Sequence, residues 1–478
     1  MFYSEIDFFA RKLQKIATVI AVLYLFFVGA DSYLCIGVGI FIFFCFQFII
    51  NLGLKIEVRD VIILVACFQW IIGAALSYIY VPSWFLYSMK VPESEYMSFV
   101  VPGVICFVCG LCLPFYSTKI DHVNIRVWIR QQLAAHPNLD IIILGIGFFA
   151  SFASPFSPSS LRFVFYLLSM LMYIGTFYLL FSERKHKNLI IITVFLILFV
   201  ESLRAGMFHE LLLWGIFMFL VFAFVYQLGY KKKLFILFIL LLGVFFLQLV
   251  KRELRTIVWS KGNISSSDAV YAFGDVLIKK STENDKLLAE LEFFLLISRI
   301  NQGWIISQIM QYVPEKEPFA NGETIIRSIE DSIIPRFLKA NKMIVGGTEY
   351  YSRFTGLTLR SGTSMDLGII GEAYANYGVR GGIAFMFILG LFYNFVLYIV
   401  YRISQKNPMM FLWVPLLFLY VIKAESGFYM AINHLIKASI FLIIFFYILK
   451  FFYKFDYHPF DEWQDEEEDD DNQRLRVR

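Results

Sequence analysis

Apolar runs of roughly 20 residues, the length a helix needs to cross hydrocarbon, recur along most of the chain. About twelve can be marked, near 14–30, 33–53, 60–81, 97–116, 139–157, 160–182, 188–204, 208–229, 233–251, 381–401, 409–425 and 431–453. Phe and Leu dominate them without alternation of polar positions, so helices are predicted rather than a barrel, whose strands would be about ten residues long with every second position polar. One long interruption, 251–380, is polar and broken by Gly and Pro. The pattern therefore divides the chain into nine membrane helices (1–250), a large extracytoplasmic loop (251–380), three more membrane helices (381–453) and an acidic tail (454–478) too charged to fold.

Composition agrees: 59% of the residues are hydrophobic and only 17% charged, which excludes a soluble protein of this length and leaves an all-α polytopic membrane protein. The net charge is only +4, so its distribution matters more than its sum. Arg11, Lys12 and Lys15 precede the first window, and Lys55 and Arg59 follow the second; Lys119, Arg126 and Arg130, then Arg184, Lys185 and Lys187, then Lys231 to Lys233, then Arg402 and Lys406 follow later even-numbered windows. Basic short loops face the cytoplasm, which puts both termini inside and 251–380 outside. The first window runs on into a second without a small-residue cleavage site, so no cleaved leader is expected. All six cysteines fall within or at the windows; Cys106, Cys109 and Cys112 have metal-like spacing, but their apolar surroundings favour helix packing.

Charges near the outer boundaries carry the candidate chemistry. The hairpin Glu201 to Glu210 holds Arg204 and His209; Glu201 and Arg204 could simply pair on one helix turn, or Arg204 could hold a phosphate with its fork of donors. Lys251, Arg252 and Arg255 end the ninth window, where headgroup anchoring is the plain explanation. Ser298-Arg299 leads to Gln302 and Gly303, a glycine that permits close backbone approach to a ligand. The irregular stretch 314–363 carries Arg327, Arg336, Lys339, Lys342, Arg353 and Arg360 among Tyr350, Tyr351 and Phe354. Glu372 lies between Gly371 and Tyr374, just ahead of Asn376 and Gly378, as a counter-ion or a proton acceptor. His434 follows Asn433 at the outer start of the last window.

Taken together, the long outer loop, the Glu201–Glu210 hairpin, the Ser298–Gly303 element and the Gly371–Gly378 element resemble the Wzy-type O-antigen or oligosaccharide repeat-unit polymerases, relatives of the O-antigen ligases with a GT-C-like membrane fold. The resemblance implies an enzyme of the bacterial cytoplasmic membrane that transfers glycosyl chains between polyprenyl-diphosphate-linked oligosaccharides at the outer face. It implies cations for the leaving diphosphate, with Arg204, Arg299 and Arg336 foremost and Arg353, Arg360 and Arg255 behind them. Glu372 would be the base for the acceptor hydroxyl, followed by His209 and His434. No cofactor, metal or nucleic acid is expected: no Asp-x-Asp pair lies in an outer loop, and membrane lipids and a chain-length regulator complete the partners. A ligase is the nearer alternative; a flippase of lipid-linked sugars is further off, since no internal repeat is visible.

Overall fold

A computed structural model describes residues 2–114, 122–158, 161–262, 264–282, 286–334, 338–339, 341–343, 348–359 and 363–453. Helices account for nearly all of it. The first four are α1 (Phe2–Phe27), α2 (Ser32–Asn51), α3 (Val58–Cys67) and α4 (Gly73–Tyr80), the last two joined through a π-turn at Phe68–Ile72. Asp31 caps α2, its carboxylate accepting from the amides of Tyr33 and Leu34. Then come α5 (Glu93–Cys112), α6 (His122–Ala135), α7 (Leu139–Ala153), α8 (Arg162–Ser169), α9 (Leu171–Phe181), α10 (Lys187–Ala205), α11 (His209–Tyr226) and α12 (Tyr230–Lys261). Five helices make up the polar segment: α13 (Ser266–Thr282), α14 (Lys286–Ile300), α15 (Gly303–Tyr312), α16 (Glu323–Ile333) and α17 (Thr348–Thr355). The chain closes with α18 (Ile369–Lys406), a 3-10 turn over Pro408–Trp413, α19 (Val414–Leu417) and α20 (Phe428–Tyr453).

Ten helical segments among the described residues are long and apolar enough to cross a membrane, so this is an all-helical, multi-pass membrane protein. Two of the twelve expected windows are not among them. In α1, which runs alongside α2, Arg11, Lys12 and Lys15 interrupt the apolar pattern, and its apolar run is Ile16 to Phe27. The 409–425 window is no continuous helix: after α19 the chain turns through 418–427, almost wholly buried inside the bundle. The boundaries of the polar segment also fall inside helices, since α12 continues past residue 250 to Lys261 and α18 begins at Ile369.

The central pair is α5 against α18, and its closeness comes from glycine. A Cβ on Gly110 would lie 2.8 Å from the Leu391 amide, and one on Gly390 would lie 2.9 Å from that of Leu111. Small residues let backbones touch where no hydrophobic driving force separates protein from lipid. Asn394 adds hydrogen bonds to the carbonyls of Gly110 (3.1 Å) and Leu113 (2.7 Å).

At the end of the bundle that gathers the basic short loops, cations sit on carbonyls left open at helix C-termini. Arg126 donates to the carbonyl of Phe224 at 3.2 Å, Lys233 to that of Ile49 at 3.2 Å, and Arg184 pairs with Asp140 at 2.8 Å. Arg126 and Arg130 lie on α6, which buries Ile125, Ile129 and Leu133 at helical spacing; Lys119 lies outside the described residues.

The polar segment docks on the opposite end through two backbone irregularities. At the π-turn, the Gln302 amide donates to the Gln69 carbonyl at 3.1 Å. In α18, Gly378 has φ 64°, ψ −161°, which breaks the helix. The carbonyls of Ala375 and Asn376, deprived of their helical donors, accept instead from the amides of Ala320 and Asn321 at 3.0 Å each.

Candidate functional site

At the loop end of the bundle, positively charged side chains converge from separate parts of the chain. Gln248, Lys251 and Arg255 recur on one face of α12, at i, i+3 and i+7, and both cations are half-buried. Arg299, in the last turn of α14, reaches across to the Gln248 carbonyl. Burial, and then the charges of Arg255 and Arg252, push its guanidinium below the ordinary arginine range. Arg255 also donates to the Gly206 carbonyl at 2.8 Å and lies 5.1 Å from the Trp259 ring, which fixes its head beside the end of α10.

Lys423 closes the cluster from the segment after α19, with its ammonium 4.3 Å from the Tyr420 ring. Burial lowers its pKa, opposed by Glu425 and Glu210. His209, opening α11, lies within electrostatic reach of Lys423, Lys251 and Arg255, and its Nε2 is 4.0 Å from the Glu210 carboxylate. Lys251 in turn feels Arg255, Arg299 and Glu425. Behind Glu210 the hydroxyls of Tyr166 and Tyr420 meet at 3.0 Å. Such a half-buried concentration of positive charge, with few carboxylates to match, is a seat for an anion carrying several oxygens.

Of the residues expected at the site, the structure brings together Arg255, Arg299 and His209. Arg204 stands two residues from the Gly206 carbonyl that Arg255 grips, yet its own guanidinium is held by Glu201 at 2.9 Å and by the Ile264 carbonyl at 3.3 Å. That is the local helix-turn pair the spacing allowed. Arg353 clasps Glu317 at 2.6 Å and Glu323 at 3.0 Å, tying α17 to the start of α16. Arg336 and Arg360 lie outside the described residues.

Glu372 is buried, and both of its oxygens are occupied: Oε1 accepts from the Thr324 hydroxyl at 2.7 Å and Oε2 from the Phe428 amide at 2.8 Å. Asn376 extends the knot, donating to Thr324 Oγ1 at 2.7 Å while its own oxygen takes the Gly322 amide at 3.0 Å. Glu372 thereby joins α16, α18 and the first turn of α20. His434 is not open at the outer surface but enclosed, with Nε2 2.8 Å from the Leu416 carbonyl and its ring packed on Tyr420, because the 418–427 segment covers the first turns of α20. Gly303 does permit a close approach, but to the protein itself: a Cβ there would overlap the Tyr96 hydroxyl.

Lys251, Lys423 and Glu210 are site residues that the sequence reading does not single out: Lys251 reads there as a headgroup anchor. Lys423 sat inside a window that scanned as a span, and its only signal was the pair Lys423 and Glu425 interrupting an apolar run. Cys106, Cys109 and Cys112 are free thiols, and among the described residues no group of three His, Cys, Asp or Glu side chains is arranged as a metal site. Residues 96–453 match a family described as a domain of unknown function (DUF8712), while no curated protein and no solved structure matches the chain.

Proposed function

Because the chain belongs to the DUF8712 family, whose description carries no activity, its role has to come from its site, and we propose that it is a membrane glycosyltransferase that polymerises polyprenyl-diphosphate-linked oligosaccharide repeat units. The reading places it in the bacterial cytoplasmic membrane, GT-C-like in architecture, with both termini inside and the cationic cluster at the outer leaflet. The observation that carries it is the convergence of Lys251, Arg255 and Arg299 on one half-buried patch at a bundle end, with Lys423 brought in beside it around His209 and Glu425.

In this reaction the acceptor hydroxyl attacks the anomeric carbon of the donor chain as the bond to the diphosphate breaks. The departing diphosphate takes the bonding electrons, and the cluster stabilises the charge that grows on it. Fork-shaped guanidinium donors from Arg255 and Arg299 suit its oxygens, and Lys251 and Lys423 add point charges. His209 takes the proton of the acceptor hydroxyl: it is half-exposed beside the cations, whereas both oxygens of Glu372 are held by protein donors and His434 is enclosed in the bundle. Glu372 acts as a positioning residue that locks the loop to the bundle.

The test is elongation by the purified protein on lipid-linked repeat units, with and without a chelator. The expected product is a ladder of lengthened glycans that survives chelation and is lost in Arg299→Ala and His209→Ala. A single transferred unit would point to a ligase, and movement of lipid without a new bond to a transporter; either result overturns the proposal.

A further inference from the structure

The helix that presents Lys251 and Arg255 is unlike the other spans. Of the most apolar stretch of α12 only 11% is buried, against 28% or more in each of the other nine candidate spans. Its two ends are fastened. Below, Lys233 is buried on the Ile49 carbonyl, Tyr230 donates to Asp7 at 2.7 Å, and Ile236 and Leu237 pack on the main core. Above, Leu247, Val250, Leu254 and Val258 pack in a second small core with α10 and α13, and Arg299 holds Gln248.

Between these anchors the nine residues from Phe238 to Phe246 pack against neither core, a length of about 13 Å at 1.5 Å per residue. Residues 238–243 are six consecutive exposed positions. At about 100° per residue they sweep more than a full turn, so the side of α12 facing the bundle is open as well as the side facing away. Leu240 and Val244 lie on the same face as Lys233 below and Lys251 above, and Leu240 is still 36% exposed. Even a Cβ built on Gly243 would meet nothing within 4 Å. The helix thus stands off the bundle at mid-height and leaves an apolar cleft whose upper end is the cationic cluster.

We infer that this cleft holds the hydrocarbon tail of a phosphate-headed lipid, with the phosphate at Lys251, Arg255 and Arg299 and the chain running down past Val244 and Leu240. The pairing of an apolar slot with cations at one end commits the occupant: a neutral lipid would leave the charges unmatched, and a soluble phosphate would leave the slot unused. The inference rests on reading the cations as the phosphate seat of the proposed enzyme, and it names the path by which the lipid-linked substrate reaches them from the side.

The test uses the full-length protein in phosphatidylcholine nanodiscs with a diazirine-bearing long-chain alkyl phosphate and, in parallel, the matching alkyl alcohol, the labelled residues being mapped by mass spectrometry. Labelling within 238–246 by the phosphate probe is expected to exceed that by the alcohol several-fold. The excess should vanish in the double variant Lys251→Ala, Arg255→Ala, and Val244→Trp should cut labelling by both probes. Equal labelling by the two probes in the unmodified protein, label confined to other helices, or cross-links joining this stretch to a second copy would each overturn the inference. The probe carries no sugar, so intact labelling without glycan elongation would defeat the enzyme reading alone, and elongation without selective labelling would defeat the cleft alone.

Discussion

Side chains that look catalytic by type divide, on inspection of their partners, into those held by protein and those left facing an open patch. Glu372 belongs to the first kind. Replacing it by Gln removes one of its two acceptor oxygens, so the Phe428 amide or the Thr324 hydroxyl loses a charged partner, a change of about 1–3 kcal/mol when the orphaned group stays buried. A fall in melting temperature in detergent is the expected outcome for Glu372→Gln, and loss of elongation at unchanged melting temperature would instead return the residue to acid–base duty. Asp331 offers a pH test in the loop. Burial opposes its charged form, but the Lys339 ammonium at 2.7 Å and the Met343 amide at 2.8 Å prevail and hold the carboxyl below the usual aspartate range. A carboxyl depressed by folding contributes stability that is complete above its unfolded value, about 3.9, and is lost as the pH falls through the folded value. Amide exchange in α16, corrected for intrinsic rate, should accordingly be slow at pH 6 and accelerate below pH 4; equal protection at both would remove Asp331 from the account.

Elements were legible in the sequence wherever a long apolar run had no competitor. Phe and Leu over 20 residues can scarcely do anything but form a spanning helix, and α2, α5, α10, α11 and α20 lie where the windows put them. What lay hidden depends on contacts between distant segments. The π-turn at Phe68–Ile72 and the break at Gly378 become affordable only because the loop brings donors to the freed carbonyls, and no local pattern records that. Likewise, hydropathy cannot distinguish a helix apolar all round because it is buried from one bathed in lipid, so the isolation of α12 was invisible. Two substitutions test this level. Gly378→Ala imposes a left-handed φ on an L residue and brings its Cβ to about 3.1 Å from Phe319; a loss of roughly 1–2 kcal/mol is expected, read as a lower melting temperature. Gly390→Leu should do more harm, since its side chain would enter the backbone of α5, and failure to purify a monodisperse protein is the expected result. A well-behaved Gly390→Leu variant with unchanged melting temperature would contradict the close α5–α18 packing.

Across the whole molecule, charge is sorted by end. Basic residues at one end cap helix carbonyls, and those at the other converge with few acidic partners, the sorting that orientation across a membrane and binding of an anion both require. The same end is where the polar segment is fastened, by the Glu372 knot and by the amides of Ala320 and Asn321 on the carbonyls of Ala375 and Asn376. These fastenings set an order of events during biosynthesis. When residues 319–334 leave the ribosome their receptors on α18 and α20 have not been made, so this part must wait undocked until the last span is inserted. A nascent chain halted before Phe428 should therefore expose 319–334 to added protease, and the completed protein should shield it; the cationic cluster, which takes Lys423 from beyond α19, would likewise be complete only as translation ends.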